Sequence, residues 1–424
     1  MKTPSRRTFL RQLGQGTLSS FAVPLFGPEL LTHWKSIGLH DHINITEEYW
    51  DAVKSQFHFA EGLHYFNNAS MGASSTPIQQ ATDTFRATLD GFPSKYMWGG
   101  WEEEKEEVRA KVAGLFSVSA EEIALIHNTT EGMNLIARSF RLQPGDEVIL
   151  ANHEHASGTI PWEVWQETEG IKLVRPELPI LPGTVSDLVA VYEKAITPKT
   201  KVISMCHIVN TNGMVLPVKE VSKLAREKGI LVAVDGAQSA GMFTIDLKEL
   251  GCDFYTASSH KWLFSPKGVG VFYAKKESQD HLKPLMVARG HSDKSVRRLE
   301  NYNTRNLPEV LGLGASIDFH NTIGAERIHQ RTFELKKYFR SQLEDDSRFT
   351  IKTPVLDELS GAIQVVEVNG KEVLDVKEQL WERYGIDCRP MSGKGLNALR
   401  LSFAIYITKK DIDYLVAALR ALTA

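Results

Sequence analysis

Short apolar runs alternate with polar segments along the middle of the chain. Six such runs cover residues 123–126, 147–150, 172–174, 202–205, 231–234 and 254–257. Several are followed by apolar positions at helical spacing, such as Val221, Leu224 and Ala225. Runs of this kind are typical of buried parallel strands joined by helices. The pattern therefore predicts an α/β fold with a mainly parallel sheet covered on both faces.

One further apolar run, at residues 268–273, has a different connection. It begins too soon after the preceding run for a helical crossover, which parallel strands require. We therefore predict that it returns as an antiparallel strand beside the run at 254–257.

The flanking parts of the chain predict additional elements. Residues 65–72 run from an aromatic pair into a loop of small residues, and we expect a helix from about Pro77. Residues 101–116 combine dense charge with apolar positions on one side, which predicts an exposed amphipathic helix. After about residue 325 the pattern changes to a long helix, two strands, the run at 400–403 and a closing helix from Thr408. These changes predict a leader and connector at 1–40, a large domain at 41–325 and a smaller C-terminal α+β domain at 326–424.

Composition narrows the classes of protein that fit this fold. The 424 residues are 42% hydrophobic and 24% charged, with a formal net charge of −3, so the surface as a whole does not attract nucleic acid. The cysteines, Cys206, Cys252 and Cys388, form no C-x-x-C pair, which argues against a disulfide framework and a zinc site. His153, Glu154 and His155 are adjacent but have no third ligand nearby in sequence, so we expect no metal.

The N-terminus has its own pattern. Residues 5–11, Ser-Arg-Arg-Thr-Phe-Leu-Arg, match a twin-arginine export signal and precede a mildly apolar stretch at 18–26. The alternative is a basic tail with a chance arginine pair. No stretch of about 20 apolar residues is present, so we expect no membrane span. The pattern predicts export to the periplasm by the twin-arginine machinery.

Two chemically suited residues follow neighbouring predicted strands. Asp235 lies in Val-Asp-Gly-Ala-Gln-Ser after the run at 231–234, and Lys261 lies in Ser-Ser-His-Lys-Trp after the run at 254–257. The ends of such strands form the ligand crevice of an open α/β sheet. Taken singly, the aspartate could be a helix cap and the lysine a surface residue. Together they supply a buried acid and an amine nucleophile to one crevice.

These two motifs, D-G-A-Q and S-x-H-K, resemble the signature of class V aminotransferases, a family that includes cysteine desulfurases, selenocysteine lyases and isopenicillin N epimerases. The resemblance extends over nearly all the chain after about residue 60. It implies the fold type I of enzymes that use pyridoxal 5′-phosphate (PLP), with a large domain built on a seven-stranded sheet. It also implies that Lys261 carries PLP as a Schiff base while Asp235 keeps the pyridine nitrogen protonated.

Further cofactor contacts follow from the same resemblance. Residues 127–135 resemble the family's T-T-E-G-x-N phosphate loop, and a helix N-terminus suits a phosphate. The resemblance implies that His155 stacks on the pyridoxal ring and also acts in proton transfer, and that Gln238 bonds the phenolic oxygen. The cofactor-binding residues implied in this way are Thr129, Thr130, His155, Asn210, Asp235, Gln238, Ser258, His260 and Lys261.

The resemblance also implies substrate and subunit contacts. Arg400, in Leu-Arg-Leu-Ser-Phe, matches the arginine that grips the substrate α-carboxylate, and Asn68 lies in the small-residue loop expected to face the substrate. Thr304 matches the threonine that reaches the phosphate of the neighbouring subunit. We therefore predict a homodimer with shared active sites that acts on a small amino-acid substrate.

One departure from the family bears on the reaction. Cysteine desulfurases carry a nucleophilic cysteine shortly before the carboxylate arginine, whereas residues 389–397 contain none. This favours an isopenicillin N epimerase-like enzyme that acts at the α-carbon or amino group of an amino acid, as an epimerase or an aminotransferase. The alternatives are a C–S or C–Se lyase of the cysteine desulfurase type and an exported binding protein that has lost catalysis.

Overall fold

The computed structural model describes residues 46–423. The twin-arginine pattern at residues 5–11 and the whole predicted leader and connector at 1–40 lie outside the described residues. Within 46–423, the predicted apolar runs form strands almost residue for residue. The strands are β1 (His64–Tyr65), β2 (Ile123–Ile126), β3 (Glu147–Ile149), β4 (Lys172–Val174), β5 (Thr200–Cys206), β6 (Leu231–Asp235), β7 (Phe254–Ser258), β8 (Gly270–Ala274), β9 (Phe349–Ile351), β10 (Ile363–Val368), β11 (Ile386–Asp387), β12 (Arg389–Gly393) and β13 (Leu396–Ser402).

Helices connect and cover these strands. They are α1 (Glu47–Lys54), α2 (Thr76–Gly91), α3 (Pro93–Met97), α4 (Glu102–Leu115), α5 (Thr129–Ser139), α6 (Ala156–Glu169), α7 (Val185–Ala195), α8 (Val218–Glu227), α9 (Leu247–Leu250), α10 (Leu307–Ile323), α11 (Ala325–Ser341), α12 (Val373–Tyr384) and α13 (Lys409–Ala421). Pro77 lies in the first turn of α2, where its missing N–H costs nothing. Thr408 caps α13 through a capping box with Asp411.

The central sheet has seven strands in the order β2-β8-β7-β6-β5-β3-β4. β3, β4, β5, β6 and β7 pair in parallel, and β8 is antiparallel to both β7 and β2. The structure therefore confirms the α/β fold with a seven-stranded, mainly parallel sheet. It also confirms the antiparallel return strand, because only a short loop separates β7 from β8.

Both faces of this sheet are buried, as the continuous apolar runs predicted. On β6, Val232 and Val234 join one hydrophobic layer while Ala233 joins the other. The same division holds on β2, where Leu125 faces the first layer and Ile126 the second. Because successive side chains of a strand point to opposite faces, each strand supplies both layers.

The C-terminal part forms a smaller antiparallel sheet, with strand order β12-β13-β10-β9, beside α12 and α13. The N-terminal segment packs against this part of the chain. β1 pairs in parallel with β11, Lys54 forms an ion pair of 2.6 Å with Asp411, and Arg331 bonds Glu47 at 2.6 Å. The domain limits 41–325 and 326–424 stay a prediction. No helix within residues 46–423 is long and apolar enough to cross a membrane.

Candidate active site

A cavity of about 250 Å³ opens at the carboxyl ends of the central strands. β2, β5, β6 and β7, together with the loop after β3, bring residues to this edge because parallel strands end on the same side of a sheet. The lining residues are Ser70, Asn128, Thr129, Thr130, His155, Ser157, Cys206, Ile208, Asn210, Asp235, Ala237, Gln238, Ser258, His260 and Lys261.

Nine of the predicted site residues therefore lie together in one cavity. They are Thr129, Thr130, His155, Asn210, Asp235, Gln238, Ser258, His260 and Lys261. Sequence reasoning did not predict the other six lining residues, which are Ser70, Asn128, Ser157, Cys206, Ile208 and Ala237. Ser70 and Ala237 lie inside motifs that the sequence analysis identified. Cys206 and Ile208 belong to no motif, and the sequence shows only that they follow an apolar run.

The N-terminus of α5 faces the cavity. Asn128 caps the helix by accepting a hydrogen bond from the Glu131 amide at 3.0 Å. Ser258, at the end of β7, accepts from the Thr129 amide at 2.9 Å and lies 3.0 Å from the Thr129 hydroxyl. A Cβ at Gly132 would lie 2.0 Å from Thr256 Oγ1, so only glycine lets α5 approach β7 this closely. The close packing places a positive helix end beside two hydroxyls, an arrangement that suits a phosphate.

Asp235 and Lys261 lie on the neighbouring strand ends predicted for them. Asp235 Oδ1 accepts a hydrogen bond from the Ala237 amide at 2.9 Å, which fixes the carboxylate at the end of β6. Burial lowers the pKa of Lys261 to about 8, with the charge of Asp235 opposing the shift and that of Arg400 adding to it. A substantial fraction of the Lys261 amine is therefore neutral near pH 8 and available as a nucleophile.

Asn68 contacts Lys261 from outside the cavity. Its Nδ2 donates to the Lys261 carbonyl at 3.3 Å, and its Oδ1 accepts from the Tyr406 hydroxyl at 3.0 Å. The structure places this side chain behind Lys261 rather than on the cavity surface predicted for substrate contact. Asn68 thereby helps to hold the backbone that carries the lysine.

The orientation of the Gln238 amide is fixed by its two neighbours. The Trp262 indole N–H can only donate, and it bonds Gln238 Oε1 at 2.9 Å. Gln238 Nε2 must then face the other way, where it donates to the Ala69 carbonyl at 2.8 Å. One Nε2 hydrogen remains for a cavity ligand, as the predicted bond to a phenolic oxygen requires.

His155 lies at the exposed side of the cavity. It is the N-cap of α6, and its Nδ1 accepts from the Ser157 amide at 3.2 Å. Burial is the main cause that lowers the pKa of His155, opposed by Asp235 and assisted by Lys261, Arg400 and Lys394. Because Nδ1 acts as an acceptor, Nε2 carries the proton of the neutral ring and is left to face a ligand.

Arg400 lies next to the cavity without lining it. Its Nη1 donates to the Asn210 carbonyl at 3.0 Å, and its Nη2 donates to Ser70 Oγ at 2.6 Å and Asn67 Oδ1 at 3.3 Å. Its buried Nε has no hydrogen-bond partner among the described residues. Burial and the cross-strand neighbour Arg389 lower the pKa of Arg400 to about 10, so the guanidinium stays charged at neutral pH.

Glu154 forms a second acidic position beside the cavity that the sequence did not predict as functional. Burial raises its pKa to about 8, and the charge of Asp235 adds to the effect. Glu154 neighbours Cys206, whose pKa is raised well above the ordinary value by burial and by the charges of Glu154 and Asp235. The Cys206 thiol is therefore protonated at neutral pH.

Thr304 lies away from this cavity and is exposed on the loop between residues 301 and 306. This loop is held by Tyr302, whose hydroxyl donates to Glu131, and by Arg305, which donates to the Leu125 carbonyl at 3.0 Å. The predicted Thr304 contact concerns a second subunit and stays a prediction. Among residues 46–423, no three His, Cys, Asp or Glu side chains are grouped as a metal site would require.

The family model for "Aminotransferase class-V" matches residues 60–415, most of the chain. The chain belongs to the class V aminotransferase family. It is 30% identical to an isopenicillin N epimerase from Streptomyces clavuligerus over 391 residues, which is 88% of this chain and 98% of the relative. It is 32% identical over 341 residues to a cysteine desulfurase from Serratia proteamaculans, covering 75% of this chain and 82% of the relative.

Solved structures of related enzymes share the fold of this class V aminotransferase family member. A cysteine desulfurase from Escherichia coli matches with a TM-score of 0.75 and 26% identity, covering 90% of this chain and 99% of that chain. A structure of C-DES with glycine covalently linked to its PLP cofactor matches with a TM-score of 0.77 and 21% identity, covering 86% and 98%. At 21% identity, the match to C-DES is evidence for a shared fold only.

PLP is the cofactor of this class V family member, and the cavity fits it. His260 lines the cavity, and its buried Nδ1 has no hydrogen-bond partner among the described residues, which leaves it available to a ligand. Thr129, Ser258 and the α5 N-terminus would hold the phosphate, Asp235 the pyridine nitrogen and Lys261 the aldehyde carbon. When bound, PLP withdraws electrons from the α-carbon of an amine substrate.

The lowered pKa of Lys261 predicts how quickly the apoenzyme takes up PLP at different pH values. Only the neutral amine attacks an aldehyde, so the rate should rise with pH and level off above about 8. An unburied lysine amine has a pKa of roughly 10.4, so its rate should continue to rise past this point. Stopped-flow absorbance of apoenzyme mixed with PLP, with N-acetyl-lysine as the reference amine, measures both profiles. A rate that climbs in parallel with the reference would contradict the lowered pKa.

Proposed function

We propose that this class V family member transfers the proton at the α-carbon of an amino-acid substrate, as an epimerase or an aminotransferase. The observation that carries the proposal is the absence of a reactive thiol at the site. Cys206 lines the cavity, but its pKa is raised well above the ordinary value, and thiol attack requires the thiolate. The residues before Arg400 form the β12–β13 hairpin, which carries Lys394 at its turn and no cysteine.

The other cysteines are equally unsuited to persulfide chemistry. Cys252 and Cys388 are buried, and burial raises the pKa of each thiol to about 12. Cys388 lies between β11 and β12, with its thiol away from solvent. These positions argue against sulfur transfer through a cysteine of the described chain.

The cavity residues and the adjacent Arg400 divide the proposed work among them. Arg400 binds the α-carboxylate through a fork of N–H donors, while Asp235 holds a negative charge at the pyridine end. Lys261, once displaced by the substrate amine, holds or moves the proton at the α-carbon, and its pKa near 8 suits this exchange at neutral pH. His155 covers the open side and limits entry of water.

The two candidate reactions differ in the atom and the face to which the proton is returned. Delivery to the opposite face of the α-carbon inverts the amino acid, whereas transfer of the amino group to bound PLP, with uptake of one water molecule, would release a keto acid. The similarity to the isopenicillin N epimerase from Streptomyces clavuligerus supports inversion, because the match covers 98% of that protein's length. Both reactions share removal of the α-proton, which is the step that these residues support.

The proposal is tested by incubating the PLP-loaded protein with L- and D-amino acids in deuterium oxide. We expect deuterium at the α-carbon, measured by NMR, with inversion for an epimerase or keto-acid release for an aminotransferase. Release of sulfide from cysteine or selenide from selenocysteine, without α-carbon exchange, would instead identify a lyase. PLP binding with no reaction of any substrate would favour a protein that has lost catalysis.

We also propose that the enzyme works as a homodimer in the periplasm. The dimer is supported by Thr304, which is exposed and free to meet a second subunit. Export is supported by the twin-arginine pattern at residues 5–11, since that pathway carries proteins already folded around a cofactor.

A further inference from the structure

The β12–β13 hairpin ends in an unusual turn. Gly393, Lys394 and Gly395 all have positive φ angles, of 96°, 52° and 76°. Glycine adopts this region freely, whereas a lysine does so rarely. A lysine kept in this rarely populated conformation indicates that its side chain has a role at this position.

The turn carries Lys394 across to the large domain. A Cβ on Gly395 would lie 2.9 Å from Ile180 Cδ1, so the turn packs directly against the loop that follows β4. Lys394 Nζ donates to the Glu154 carbonyl at 3.3 Å. Glu154 immediately precedes His155, so the ammonium group bonds the backbone next to a cavity-lining residue without lining the cavity itself.

Lys394 has no carboxylate partner within the part of the chain that the structure describes. Among residues 46–423, no carboxylate oxygen lies within 4.0 Å of Lys394 Nζ. The carboxyl group of neighbouring Glu154 is buried beside Cys206, and burial raises its pKa to about 8. The ammonium group also has three N–H donors, of which the Glu154 carbonyl occupies one.

The field of Lys394 reaches into the cavity. Burial is the main cause that lowers the pKa of His153, and the charge of Lys394 adds to it. The charge of Lys394 also helps to lower the pKa of His155, where burial and other charges have larger effects. Arg400 acts on His155 as well, from the inner side of the cavity. Two cations from one hairpin therefore act on His155, one at Arg400 on β13 and one at the exposed turn.

We propose that Lys394 binds a second carboxylate, carried by the substrate side chain, so that the enzyme prefers amino acids with an anionic side chain. Arg400 takes the α-carboxylate and Lys394 takes the distal one. The inference rests on the proposed function for the α-amino chemistry, but the anion preference can be measured without any reaction. Lys394 acts as a binding residue, since nothing places it at the reacting atoms.

Calorimetry with the PLP-loaded full chain tests this preference. Succinate, glutarate and adipate lack an amine and cannot react, and butyrate, pentanoate and hexanoate are their monocarboxylate counterparts. We expect at least one dicarboxylate to bind about 10-fold or more tightly than its counterpart, as a charge-assisted hydrogen bond supplies. Lys394→Gln should reduce that ratio to about one, and Lys394→Arg should restore most of it.

Lys371→Gln is the matched control, because Lys371 is an exposed lysine in another turn of the same small sheet and the charge change is identical. It should keep the wild-type ratio. Equal binding of dicarboxylates and monocarboxylates by the wild type, or a preference that survives in Lys394→Gln, would overturn the proposal.

A kinetic comparison separates this inference from the proposed function. In deuterium oxide, L-2-aminoadipate should exchange its α-proton with a lower KM than L-norleucine, and Lys394→Gln should remove this difference in KM. Dicarboxylate binding without any exchange would contradict the proposed reaction and leave the anion site standing. Exchange with norleucine and aminoadipate at equal KM would contradict the anion site and leave the reaction standing.

Discussion

Replacing Lys261 with alanine is expected to lower α-proton exchange by roughly 10⁴-fold, the upper range for loss of a positioned proton-transfer group. The amine is the only group at the end of β7 that can both attach PLP covalently and move the α-proton. Burial lowers its pKa to about 8, so it is ready for both tasks near neutral pH. Exchange measured by NMR in deuterium oxide, together with loss of the visible absorption of lysine-bound PLP, checks the prediction.

Lys267→Ala is the control for this experiment. Lys267 belongs to the same loop, burial also lowers its pKa, and its Nζ donates to Ser74 Oγ at 3.4 Å without lining the cavity. It should keep both the absorption and the exchange. Exchange at the wild-type rate in Lys261→Ala would show that another residue is the base.

The second large effect is expected at Asp235. Asparagine is nearly the same size, and its Oδ1 can still accept from the Ala237 amide, so Asp235→Asn should fold normally. It removes the negative charge at the pyridine end of the cavity, where charge must be stabilised as the α-proton leaves. We expect exchange to fall roughly 10²- to 10³-fold, as for loss of one preorganised electrostatic contact. The same NMR assay measures it.

Asp253→Asn offers a matched control. Asp253 lies just before β7, accepts from the Val232 amide at 2.8 Å and from Ser278 Oγ at 2.7 Å, and does not line the cavity. Its replacement should cost stability rather than catalysis, seen as a lower Tm with unchanged exchange in the folded protein. If Asp235→Asn kept full activity, Asp235 could not be the charge that supports the reaction.

The sequence determined the central sheet because its strands are buried on both faces and therefore read as continuous apolar runs. It also located the antiparallel β8, since the connection from β7 is too short for a crossover. Asp235, Lys261 and the Thr129 loop were predictable for the same reason: each follows a strand directly, and all strand ends of one direction meet at one edge.

The remaining features depend on contacts between distant parts of the chain. The pairing of β1 with β11, the position of Asn68 behind Lys261 and the approach of the Lys394 turn to Glu154 join residues far apart in sequence. The pKa values of Glu154 and Cys206 are set by burial, and local sequence does not encode how many atoms will surround a side chain. The sequence by itself therefore determined the sheet and the residues at its edge, because those follow from local pattern. Only the tertiary structure decided which ionisable groups are buried, which of them are neutral and which face the cavity. Packing against distant segments sets the dielectric around each group.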